Sequence, residues 1–336
     1  MSGICTILRR AVLGALALIG ATLAAAPACA QQPAAQLSPW RHGVLEAKSD
    51  AGFVFMASRG GFAEQQGLKV DMMQFKGDAL ALKALIAGEL DTYEGSPGGP
   101  MLASSNGADI KLLGCYWPIL TYGIFSKTAI ASPHDLRGKV LAISAPGALP
   151  DLLARAVLEK NSIPASEVRF SIMGSDADRF RALTAGVVDA AAASTEFVPI
   201  TQSGVKLLVH AYDAVPDYVR LCVYAGGKTL TQRRDELVRF LAAQMAGVRH
   251  ALMHRDEAIR LAKEVTEAKA DDPRAGYIFD EVVRYAAVTP EMPVPMDKLA
   301  WMRELLTKTG NLSKPLDLAK FTDDGPRAKA LELVGK

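Results

Sequence analysis

The chain repeats itself. Residues 70–91 laid over residues 168–189, without a gap, agree at eight of 22 positions: Val70/Val168, Asp78/Asp176, Ala79/Ala177, Ala84/Ala182, Leu85/Leu183, Ala87/Ala185, Gly88/Gly186 and Asp91/Asp189. The densest agreement is Ala84-Leu85-Ile86-Ala87-Gly88-Glu89-Leu90-Asp91 against Ala182-Leu183-Thr184-Ala185-Gly186-Val187-Val188-Asp189. An offset of 98 residues is too long for a solenoid unit and fits two similar lobes. Chance and a shared helix-glycine-strand grammar are the competing sources of such a match.

Each copy reads the same way. Val70 to Phe75 and Val168 to Met173 are short apolar segments of strand character. Helical spacing follows, and Gly88 and Gly186 stand where a helix stops. Asp78 and Asp176 are placed to cap the two helices. Upstream, Gly43 to Ala47 and Val140 to Ser144 read as a first strand in each lobe. Strands alternating with helices imply α/β lobes, each a mainly parallel sheet flanked by helices.

The first 30 residues read differently. Arg9 and Arg10 precede an apolar stretch from Ala11 to Ala25, and Ala28-Cys29-Ala30 then leads into Gln31-Gln32-Pro33. Basic start, short apolar core and A-x-A site form a secretory signal pattern with a cut expected after Ala30. An uncleaved anchor and a lipid anchor at Cys29 are the alternatives, and the arginine pair leaves Sec and twin-arginine export open. Removing Arg9 and Arg10 from 38 Lys+Arg leaves 36 against 36 Asp+Glu, so the exported chain is neutral. That balance offers no electrostatic case for nucleic acid. Cys115 and Cys222 would remain. Two buried thiols is the expected reading, with a disulfide open if their geometry allows it.

In open parallel α/β sheets, ligands bind outside the carboxyl ends of the strands. Those loops are Lys48-Ser49-Asp50 and Glu94-Gly95-Ser96-Pro97 in lobe one, and Ala145-Pro146-Gly147-Ala148 and Ser194-Thr195-Glu196 in lobe two. Ser96 and Ser194 are again 98 residues apart. Two aromatic, β-prone segments, Cys115 to Phe125 and Tyr218 to Tyr224, leave the two lobes and would form a hinge. Tyr116, Trp117, Tyr122 and Tyr224 are placed to line a cleft there or to pack the hinge. This divides the chain into a signal peptide (1–30), a discontinuous lobe one (37–124 with 226–336) and lobe two (125–225). The tail after Thr231 is helical in pattern, over Gln232 to Met253, Asp256 to Ala270, from Asp271-Asp272-Pro273 onward, and Leu299 to Lys308.

Several chemistries lack their motifs. The chain has no G-x-S-x-G elbow and no G-x-x-x-x-G-K-[ST] loop, and no G-x-G-x-x-G follows the first strand of either lobe. No cofactor is expected. His250 and His254 share a helical face, but Ala251-Leu252-Met253 between them lacks the glutamate of a zinc protease, so no metal is expected. Glu94 and Glu196 occupy equivalent loops and could face each other as an acid–base pair or bind a ligand N–H or cation.

With these features together, the chain resembles periplasmic solute-binding proteins of ABC importers. The nearest group is the nitrate/sulfonate/taurine and thiamine-pyrimidine-precursor-binding family. The resemblance runs over about residues 40 to 260. It rests on Gly61-Phe62-Ala63-Glu64-Gln65-Gln66-Gly67-Leu68-Lys69-Val70, Gly88-Glu89-Leu90-Asp91 before a Gly-Ser loop, Asp135-Leu136-Arg137-Gly138-Lys139-Val140 and Gly186-Val187-Val188-Asp189. It implies a two-lobed type II fold with a two-strand hinge, a small-molecule ligand, an inner-membrane permease as partner, a periplasmic monomer and no enzymatic activity. Where sulfonate binders offer Gly-Ser hydroxyls, this chain has Pro146-Gly147-Ala148. Tyr93, Trp117 and Ala190 to Ala193 leave room for an aromatic or heterocyclic solute, and the resemblance implies a sulfonate-like one as the alternative. The expected ligand set is Lys48, Ser49, Asp50, Glu94, Gly95, Ser96, Trp117, Tyr122, Gly147, Ala148, Thr195 and Glu196. In it Ser96 donates hydrogen bonds from lobe one, the Gly147 region and Thr195 do so from lobe two, Glu196 selects a donor or cationic group, and Trp117 stacks on the ligand. Replacing Trp117 with Ala is expected to weaken binding and leave the fold intact. A periplasmic enzyme using Glu94 or Glu196, and a sensor docking on a signalling partner, are the competing functions.

Overall fold

The computed structural model describes residues 36–201 and 203–335. The signal pattern, with Arg9, Arg10, Cys29 and the cut after Ala30, lies outside them. Among the described residues no helix is long and apolar enough to cross a membrane.

Among the described residues, ten strands form two five-stranded sheets. The first contains β1 (Ser38–Leu45), β2 (Leu68–Phe75), β3 (Thr92–Gly95), β4 (Ile110–Trp117) and β10 (Leu221–Gly226), in the order β2-β1-β3-β10-β4. The second contains β5 (Tyr122–Lys127), β6 (Val140–Ile143), β7 (Arg169–Ile172), β8 (Ala190–Ser194) and β9 (Val205–His210), in the order β7-β6-β8-β5-β9. In each sheet the first three strands pair in parallel and the fourth pairs antiparallel to its neighbours. The sequence repeat is thus a repeat of topology, and the fold is α/β and two-lobed.

The antiparallel strand of each sheet is where the chain changes lobe. It leaves the first sheet after Trp117 and enters the second at Tyr122, then returns between His210 and Leu221. Tyr122 to Ile124 are laddered to Ser194, Ala193 and Ala192, and Cys222 to Ala225 to Gly95 through Thr92.

The matched helices are Asp78–Ile86 and Asp176–Thr184. Each ends before a glycine with φ +76°, at Gly88 and Gly186, a left-handed turn that glycine takes without the clash of a β-carbon. Their starts differ from expectation. Asp78 and Asp176 are the first helical residues and not the caps. Ser175 caps the second helix through a reciprocal pair with Asp178, whereas Gly77 precedes the first and offers no side chain.

Ala190 to Ala193 run through the centre of the second sheet, wholly buried. Ala190 and Ala192 face one hydrophobic cluster, and Ala191 and Ala193 face another, the signature of a strand covered on both sides. The tail is helical as expected, with helices Arg234–Met253, Arg255–Val265, Arg274–Tyr285 and Met296–Lys308. Leu299, Met302, Leu305 and Leu306 of the last join a core cluster that draws from both sheets.

Cys115 on β4 and Cys222 on β10 are bonded to each other, which corrects the expectation of two buried thiols. Two 98-residue-spaced copies conceal this contact, because the cysteines approach only when β10 returns to lie beside β4.

Candidate functional site

The carboxyl ends of β1 and β3 open onto a partly enclosed cavity of ≈ 30 Å³ between the sheets. It has room for at most about two waters. Its walls include Leu45, Lys48, Asp50, Asp78, Glu94, Ser96, Tyr122, Leu149 and Arg220. Five of the residues expected from sequence therefore meet at one place: Lys48, Asp50, Glu94, Ser96 and Tyr122.

Lys48 reaches from the first lobe into the second. Its Nζ donates to Asp176 Oδ2 at 2.6 Å and to Tyr122 Oη at 2.6 Å, while the Tyr122 hydroxyl donates to the same carboxylate at 2.7 Å. Arg179 holds the other Asp176 oxygen from the next turn. Burial disfavours the charge at Asp176, but Lys48 and Arg179 outweigh it and keep the carboxyl well below the usual range. Burial likewise opposes the Lys48 ammonium, and Asp176 more than compensates, so its pKa is raised.

Next to this bridge the Ser49 backbone N–H donates to Glu196 Oε2 at 2.9 Å, a second contact across the lobes. Burial pushes the Glu196 carboxyl above its ordinary range, with Lys48 and Ser49 only partly opposing it. Glu94 takes different partners. The Tyr116 hydroxyl donates to its Oε1 at 2.9 Å, and His42 Nε2 and Gln244 Nε2 each lie 3.4 Å from its Oε2. Glu94 and Glu196, expected as a facing pair, are thus held by separate groups.

Asp78 accepts a hydrogen bond from the Tyr93 hydroxyl, and burial raises its carboxyl above the usual range despite that bond. Gly95 makes this contact possible: a β-carbon there would fall 2.3 Å from Asp78 Oδ1. Ser96 Oγ lies 3.3 Å from the Tyr218 hydroxyl.

The remaining expected residues sit elsewhere. Trp117 is wholly buried, edge-on to Phe53 at 5.6 Å, with the Arg220 guanidinium 4.0 Å from its ring centre. Its face is occupied, so it reaches the cavity only through Arg220. The Gly147 N–H is turned onto Asp151, in the first turn of the following helix, at 2.8 Å, and Ala148 precedes that helix, Leu149–Lys160, whose first residue does line the cavity. Thr195 donates to Glu281 of helix Arg274–Tyr285, to which His210 Nε2 also bonds at 2.5 Å. That cluster is another clasp between lobes, outside the cavity.

Sequence reasoning missed Arg220, Asp78 and Asp176 as cleft residues. Arg220 bonds Asp50 through Nη2, while its Nη1 has no hydrogen-bond partner although the residue is 3% exposed. Its signal was available: it is the lone charge in Tyr218-Val219-Arg220-Leu221-Cys222-Val223-Tyr224. Asp78 and Asp176 were visible only as helix starts. Glu281 left no signal, since one acid on an amphipathic helix is ordinary.

Residues 48–258 match the family described as NMT1/THI5 like. No curated protein matches the sequence. Solved structures do resemble the fold. The ligand-binding component of an ABC-type import system from Staphylococcus aureus, solved with zinc bound, aligns with TM-score 0.72 and 14% identity over 87% of this chain and 99% of that one. The periplasmic aliphatic sulphonate binding protein SsuA from Escherichia coli aligns with TM-score 0.70 and 18% identity, over 87% and 99%. The desulfurization enzyme DSZB aligns with TM-score 0.67 and 17% identity, over 88% and 99%. At such identities the likeness is one of fold.

Proposed function

The chain belongs to the NMT1/THI5-like family, and from that premise we propose that it is the solute-binding component of an ABC-type importer. It captures a small organic solute between its lobes, as a periplasmic monomer, and hands it to an inner-membrane permease. The observation that carries the reading is the cavity between the lobes together with two contacts beside it that cross from one lobe to the other, Lys48 on Asp176 and Ser49 on Glu196. Such contacts break when the lobes part and re-form when they close, so they couple access to hinge motion. The Cys115–Cys222 disulfide and the leader pattern of residues 1–30 support an oxidising, exported location.

The test is a thermal-shift screen of the purified protein against alkanesulfonates, nitrate, aminopyrimidines, aromatic carboxylates, amides and amines. A solute at ~100 times its dissociation constant adds about 2.7 kcal/mol of apparent stability. A shift with one class supports capture. No shift with any class overturns it.

The DSZB likeness favours one second reading, an enzyme on the same fold. Here Glu94 or Glu196 would be the acid–base group, since both described cysteines are tied in the disulfide. A mass change in a bound solute over hours would replace the transport reading with this one.

A further inference from the structure

We propose that the solute bears no net charge and carries an apolar body ending in a carboxamide-like head, a carbonyl-type acceptor beside an N–H donor. This rests on the reading of the chain as a binding protein and narrows its ligand.

The cleft holds three cationic side chains, Lys48, Arg179 and Arg220, and each already contacts a carboxylate, Asp176 or Asp50. An anion entering here finds no uncommitted cation. It would have to strip one from its partner and leave a buried carboxylate behind. Asp78, Glu94 and Glu196 add carboxyl groups beside Asp50 and Asp176 and no further cation, so an anion gains no compensating charge from them.

A purely cationic solute leaves a different group unmatched. Arg220 lines the cavity, is almost wholly buried, and has one guanidinium nitrogen, Nη1, with no acceptor. A buried donor without a partner is costly, and a ligand carbonyl satisfies it without adding charge. The neighbouring Asp78 and Glu94 carboxyls then accept the N–H of the same head. Burial already pushes Asp78 toward its neutral form, which lowers the advantage of a full positive charge there. Val54, Phe55, Leu149 and Leu221 line the same cavity and supply an apolar wall for the body of the solute, which is held with the lobes further apart than they stand here, because ≈ 30 Å³ does not hold a ring.

Four probes with one phenyl ring and different heads test this: benzamide, benzoate, benzenesulfonate and benzamidinium. Calorimetric titration of the intact protein at neutral pH reads their affinities directly. Benzamide is expected to bind at least about tenfold more tightly than each charged analogue, with little dependence on salt. Arg220→Lys retains the charge opposite Asp50 and removes the forked donor. It should weaken benzamide by about tenfold, and the melting temperature of the free protein, measured in parallel, separates lost binding from the packing lost over Trp117. Tighter binding of benzoate, benzenesulfonate or benzamidinium overturns the proposal, as does unchanged benzamide affinity in Arg220→Lys. If none of the four binds while nitrate or an alkanesulfonate does, the uncharged ligand is refuted and the binding function survives. If nothing in the wider panel binds, both fall.

Discussion

Asp78 and Asp176 open equivalent helices in the two lobes, 98 residues apart, and their carboxyls are driven in opposite directions. Asp176 faces Lys48 and Arg179 and stays ionised well below the ordinary range. Asp78 faces the Tyr93 hydroxyl, and burial raises it. One sequence position thus serves as the anchor of an ion pair in one lobe and, in the other, as a hydrogen-bonding group whose charge burial disfavours.

The stability of Asn variants should separate the two. Asp176→Asn leaves Lys48 and Arg179 without their counter-charge and should cost about 3 kcal/mol or more at neutral pH. The Asp176 contribution is complete above the normal carboxyl range and is lost as pH falls through its depressed value. Asp78 works the other way. Its stabilisation is complete below the normal range and declines as pH rises through its raised value, so Asp78→Asn should be neutral or stabilising at pH 7. Urea unfolding from pH 3 to 8 reads both signs. A parallel loss in the two variants would contradict the contrast.

Trp117→Ala should unsettle the fold and not only the binding. The indole is wholly buried between Phe53 and Arg220, and its removal leaves a cavity worth about 3–5 kcal/mol. Chemical denaturation without any ligand tests this. A variant as stable as the parent would restore Trp117 as a candidate stacking residue.

Replacing both Cys115 and Cys222 with Ala should lower stability by about 2–5 kcal/mol, because the bond closes a long loop, with a sequence separation of 107. Reductant should produce a similar loss in the parent and none in the double variant. Intact mass with and without alkylation shows whether the isolated protein carries the bond.

Gly88→Ala and Gly186→Ala should cost the same, about 1–2 kcal/mol each, since both glycines have φ +76° and open space around the missing β-carbon. Unequal costs in urea titrations would show that the two helix ends differ in packing as well as in backbone.

The lobes themselves were legible before any coordinates. Asp91 and Asp189 show why. Each backbone N–H bonds the first strand of its lobe, at Arg41 and Val140, and each side chain accepts a second bond from the same residue's N–H at 2.8 and 3.0 Å. A job done within one local unit demands the same residue in both copies, and so leaves a repeat in the sequence. The loops at the strand ends followed from the same local logic, which is why Lys48, Asp50, Glu94 and Ser96 could be named.

What surrounds those loops was settled only by the tertiary structure. Arg220 enters the cleft because β10 returns to the first sheet, Cys222 meets Cys115 for the same reason, and Asp176 is charged because Lys48 arrives from the other lobe. Trp117 and Thr195 were assigned to the ligand on sequence position, yet Arg220 and Glu281 occupy them. Hydrophobic period, helix stops and strand-end loops depend on neighbours a few residues away, so the sequence determined them by itself. Charge pairing and burial depend on which distant segments converge, through interactions that fall off within a few ångströms, and only the folded chain decides that.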